Sequence, residues 1–241
     1  MYKQIQTTFL TLAAAAFLTS CADDNVVEEP VAEPVAEDPI VYEVTIRNLT
    51  NGQTLSRSAM VLHASGASYY SMGAPVSTEI EMLAESGEVS GIKDLSDSAG
   101  SVFALASGTV VPGENLGTFV TATDTNQVEM TILSRLESTN DGFVGANAVS
   151  LARLAASGDY IKMYMRALDA GTEQNVEGAN VGSFDATRPG GPNGISGSEG
   201  NFVTVHPGVI TSVEPIPGNP SMLPQSAKFD NPVVQVIISR M

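Results

Sequence analysis

The chain has 241 residues and carries 27 Asp and Glu against 11 Lys and Arg, a formal net charge of -16, so it repels phosphate backbones and nucleic acid is excluded as a natural partner. Tryptophan is absent and the single cysteine is Cys21, which rules out a disulfide, a thiolate metal cluster and a cysteine nucleophile in the part that folds. The length leaves room for one domain of roughly 200 residues behind an export signal.

Residues 1–20 read as that signal. Lys3 precedes the apolar run from Phe9 to Leu18, which is too short to span a bilayer. The run ends in Leu18-Thr19-Ser20-Cys21, which resembles the lipobox of bacterial lipoproteins. That resemblance implies cleavage before Cys21, acylation of its thiol and attachment to the membrane through it. Each acyl methylene buried contributes about 0.8 kcal/mol, so several chains hold firmly. Ala22 follows the cysteine where an aspartate would signal inner-membrane retention in Gram-negative lipoproteins, so the expected location is the cell envelope at the outer membrane.

Residues 21–40 read as a tether. Asp23, Asp24, Glu28, Glu29, Glu33, Glu37 and Asp38 face no basic residue, and the near-repeat Glu29-Pro30-Val31-Ala32-Glu33-Pro34-Val35-Ala36-Glu37 cannot bury a core. Proline and self-repulsion keep such a chain extended.

From residue 41 to residue 241 the pattern changes to short β-rich runs divided by Gly, Asn, Asp and Pro. Val41 to Arg47 alternates apolar and polar, and Asn51-Gly52 is a turn signal. Further strands are expected at Ala59 to Ala64, Val102 to Ala106, Thr118 to Thr123, Val128 to Leu133, Tyr160 to Ala167, Phe202 to Val205 and Pro232 to Arg240. A helix is expected from Ser77 to Glu85, with Ser77 capping and acidic residues in its first turn, and a weaker helical turn between Ile92 and Ser98. Residues 183–200 and 215–224, rich in Gly, Pro and Ser, read as loops. The fold class that follows is all-β, an antiparallel β-sandwich with one or two short helical insertions, rather than alternating βαβ units.

Three segments carry the chemistry: Ser138-Thr139-Asn140-Asp141-Gly142-Phe143-Val144-Gly145, Leu168-Asp169-Ala170-Gly171-Thr172-Glu173 and Val205-His206-Pro207-Gly208. With Tyr42-Glu43-Val44-Thr45-Ile46 before them and the strand from Pro232 to Arg240 after them, they resemble the spondin N-terminal (F-spondin) domain across essentially all of the folded part. The resemblance implies a C2-like β-sandwich that binds one calcium ion and serves adhesion rather than catalysis. By motif position, the resemblance makes Asp141, Asp169 and Glu173 the calcium ligands. Calcium takes six to eight oxygens, which loop carboxylates and carbonyls supply. The chain departs from the animal pattern at Gly142, where those members carry Trp, and at Glu173, where they carry Asp. On the residues alone, Asn140-Asp141-Gly142 and Asp169-Ala170-Gly171 are also ordinary turn sequences.

His63 reads as a core or edge residue of a strand, and His206 as a buttress to the ion site or a packing residue. Two histidines so far apart make a histidine-based hydrolase site improbable. The expected function is therefore a calcium-binding, membrane-anchored module whose partner is an envelope or extracellular protein or glycan. Two alternatives stand beside it: an envelope lipoprotein whose calcium only stabilises the fold, and a hydrolase using Asp and Glu.

Overall fold

The computed structural model describes residues 38–173, 175, 202–214 and 221–241. The expected loop at residues 183–200, the signal and nearly all of the tether lie outside the described residues. So do residues 215–220 of the expected loop at residues 215–224.

Two antiparallel sheets form a β-sandwich. Strands β1 (Val41–Asn48), β4 (Asn115–Thr121), β7 (Tyr160–Met165) and β10 (Val234–Arg240) make a four-stranded sheet in the order β4-β1-β10-β7. Strands β2 (Ala59–His63), β3 (Val102–Leu105), β5 (Glu129–Arg135), β6 (Gly142–Ser150), β8 (Ala167–Asp169) and β9 (Thr204–Val205) make a six-stranded sheet in the order β3-β2-β5-β6-β8-β9. Between the sheets, Val44, Ile46, Val236 and Ile238 meet Met60, Leu62, Met130, Ile132 and Val144 in one core. The alternation in β1 and β10 follows from this: every second residue enters the core and the others face out.

The six-stranded sheet is covered on both faces. Helices α1 (Thr78–Ser86) and α2 (Ser90–Ser98) lay Ile80, Leu83, Ala84 and Ile92 on Val61, Leu133, Phe143 and Leu168, which is why β2 is buried at all five positions. Ser77 occupies the position before α1, but its hydroxyl makes no capping hydrogen bond, contrary to the sequence expectation. Gly87 ends the helix in the left-handed conformation at φ 76°, donating its N–H to Leu83 O at 2.8 Å.

The strands expected from sequence are present, and two boundaries carry consequences. The run from Tyr160 to Ala167 divides at Arg166: Met165 ends β7 in one sheet and Ala167 begins β8 in the other. Residues 142–150 form the nine-residue strand β6, where sequence showed a motif but no strand. Pairing of Gly142 with Asp169 in the β6–β8 ladder is the contact that sets the candidate site.

Candidate functional site

The candidate site lies where the turn between β5 and β6 meets the end of β8. Thr139 shapes the turn: its hydroxyl donates to Leu136 O at 2.7 Å and accepts from Gly142 N at 2.9 Å. A Cβ at Gly142 would collide with the Thr139 hydroxyl and approach His206 Cδ2 at 3.0 Å. The site as folded therefore has no space for a side chain at Gly142. Gly171 turns the chain after β8 at φ 74°, and a Cβ there would lie 2.7 Å from the Phe202 backbone.

Asp141, Asp169 and Glu173 are all buried; Asp141 lies within charge range of Asp169 and accepts from the backbone of Glu173. The Asp141 Oδ2 accepts from Thr172 N at 2.7 Å, Thr172 Oγ1 at 3.2 Å and Glu173 N at 3.0 Å. Its Oδ1 is buried without a hydrogen-bond partner among the described residues. The Asp169 Oδ1 accepts from Gly171 N at 2.8 Å, and Oδ2 from Asn175 Nδ2 at 2.7 Å. Glu173 is buried beside them and interacts with Glu85 and Arg135 through its charge. Among the described residues, no three His, Cys, Asp or Glu side chains are already arranged as a metal-holding group.

The sequence reading missed half of the cluster. Glu81 and Glu85 of α1, to which the sequence assigned no role beyond acidic residues in the helix's first turn, are buried. Arg135, at the end of β5, is buried with them. Its Nη2 donates to Thr139 O at 2.7 Å, while Nη1 has no hydrogen-bond partner among the described residues. The signal in the sequence was only the i, i+4 spacing of Glu81 and Glu85, which sets both on one side of the helix.

Five carboxylates share this region with one guanidinium, and their proton affinities reflect it. Burial, then the Asp169 charge, pushes Asp141 up to about 7 against the opposing N–H bonds from Glu173 and Thr172. Burial, then the Glu173 charge, pushes Glu85 up to about 8. Burial pushes Arg135 down, opposed first by Glu173. His206 is held neutral: burial lowers it to about 4 against the charge of Asp169. Gly208 N donates to its Nδ1 at 3.1 Å, which puts the ring proton on Nε2, and the ring packs on Phe229 at 5.4 Å. His63 is a buried strand residue as expected, bound to Ala64 O and Thr131 Oγ1.

The chemistry on offer is a buried set of hard oxygen acceptors with a deficit of positive charge. Comparison with protein-family models and with curated proteins found no match.

Proposed function

We propose that this chain is a calcium-binding domain of the spondin N-terminal type, carried at the cell envelope on acylated Cys21 and acting as an adhesion or ligand-binding module. One observation carries the cation: the buried Oδ1 of Asp141 has no partner among the described residues, while Asp169 and Glu173 are buried in the same turn pair. A divalent cation supplies what the cluster lacks. The residues fit calcium rather than a softer metal, because every charged donor here is a carboxylate oxygen. Asp141, Asp169 and Glu173 would hold it, and bound calcium would supply charge neutralisation and a cross-link between two loops.

Burial of all three carboxylates favours the second reading of calcium's role, as a brace for the loops at this end of the sandwich rather than a bridge to a partner. Hydrolysis by Asp and Glu draws no support from carboxylates buried this deeply, because a substrate must reach them.

Thermal melting in chelator, in calcium and in magnesium tests the reading. Calcium at millimolar concentration is expected to raise the melting temperature by several degrees, and magnesium much less, since magnesium dehydrates reluctantly. Equal curves in all three solutions would reject a cation site.

A further inference from the structure

No described element covers the outer face of the four-stranded sheet, unlike both faces of the other sheet. We propose that its β7 end binds a carboxylate-bearing sugar of an acidic polysaccharide. Along β7 and the residue after it, Tyr160, Lys162, Tyr164 and Arg166 alternate aromatic and cationic side chains toward solvent, while Ile161, Met163 and Met165 pack inward. Tyr160 is 66% exposed and Tyr164 55%, large areas to leave open unless something covers them.

The charge on this face runs against the rest of the protein. Lys162 and Arg166 stand on the edge strand and just past it, while the single carboxylate among the outward strand positions, Glu43, lies two strands away in the row of Tyr160. Arg166 makes no ion pair or hydrogen bond with any described residue, whereas acids outnumber bases by 27 to 11 over the chain. Screening confines the repulsion of the whole molecule to about 8 Å at physiological salt, so the local cations govern a short-range contact.

Beside this end is a cleft of ≈ 430 Å³ lined by Tyr164, Arg166, Val205, Asn231 and Pro232. Its parts fit one acidic sugar. The Tyr164 ring is fixed by a hydrogen bond from Gln235 Nε2 to its hydroxyl at 3.1 Å, and Lys162 Nζ lies 5.8 Å from its centroid. A positioned ring offers a face for sugar C–H groups. The guanidinium of Arg166 offers a carboxylate two parallel N–H bonds. Asn231 Oδ1 is already bonded by Ala167 N at 2.7 Å, which leaves its amide N–H groups to a sugar hydroxyl. None of Asp141, Asp169 and Glu173 lines this cleft.

The test is calorimetric titration of the full chain with a short oligogalacturonate, in chelator, against a neutral galactan fragment of equal length. Saturable binding of the acidic oligomer alone is expected, about tenfold or more weaker in Arg166→Ala and in Tyr164→Ala, and unchanged in Glu43→Gln, with melting curves verifying that each variant folds. Equal affinity for the neutral fragment, full affinity in Arg166→Ala, or no binding at millimolar oligomer would overturn the proposal. Binding that appears only in calcium would assign recognition to the ion. Binding to phosphatidylglycerol vesicles but not to the oligomer would make this a membrane surface instead.

Discussion

Asp141 places different demands on its two oxygens. The Oδ2 is saturated by three donors from Thr172 and Glu173, whereas Oδ1 is buried with none among the described residues. The Asp141→Asn variant keeps an oxygen for those donors and removes the charge that repels Asp169. In chelator it is expected to melt at or above wild type, and in calcium it should show no increment. A calcium increment equal to wild type would remove Asp141 from the ligand set. Gly171 is a stricter position, since its positive φ and the Phe202 backbone at 2.7 Å both exclude a side chain. Gly171→Ala should destabilise the fold by roughly 1–3 kcal/mol, read as a lower denaturation midpoint. Asp141, Asp169 and Glu173 were singled out by resemblance, while the residues alone read equally as ordinary turns. Glu81, Glu85 and Arg135 were not, because acidic and basic residues are normally solvated, and only the packing of α1 on β5 and β6 shows these to be buried.

At the scale of elements, strands with one open face were the readable ones. The strand β1 alternates in sequence as in burial, whereas β7 and β10 alternate in burial with apolar residues on both faces and were read from their β-rich composition. The strand β6 did not alternate by type: Gly142, Gly145, Ala146, Asn147 and Ala148 resemble a loop, and they form a strand because Tyr70 covers Gly145 and both neighbours pair with it. No local rule reports that partner. Helix α1 owes its place to Ile80 and Leu83 in the second core, so Leu83→Ala should cost about 2–5 kcal/mol and loosen the lid over Glu85 and Glu173. Strand β10 is the interior strand between β1 and β7, and ending the chain before Val234 should abolish cooperative unfolding in a thermal melt.

For the whole molecule, the buried charges set a pH dependence with a definite sign. Asp141, about 7, and Glu85, about 8, hold protons in the folded state that the unfolded chain releases near 4. The native state then binds more protons than the unfolded state, and stability falls as pH rises, by up to about 1.4 kcal/mol per pH unit for each group. His206, lowered to about 4, has the opposite sign and acts only below its unfolded value near 6.5. Between pH 6.5 and 8.5 the carboxylates alone decide. In chelator the melting temperature is expected to fall across that window, and calcium should flatten the fall. A flat or rising curve in chelator would show that these carboxylates are not held protonated.

The most direct test is calorimetric titration of the Ala22–Met241 protein with calcium, beside the Asp169→Asn, Glu173→Gln double variant. Saturable one-site binding in wild type, lost in the variant while its fold persists in chelator, is the predicted result. Wild type that takes up no calcium at millimolar concentration, or a variant that binds as well as wild type, would contradict the assignment of Asp141, Asp169 and Glu173 as a calcium site.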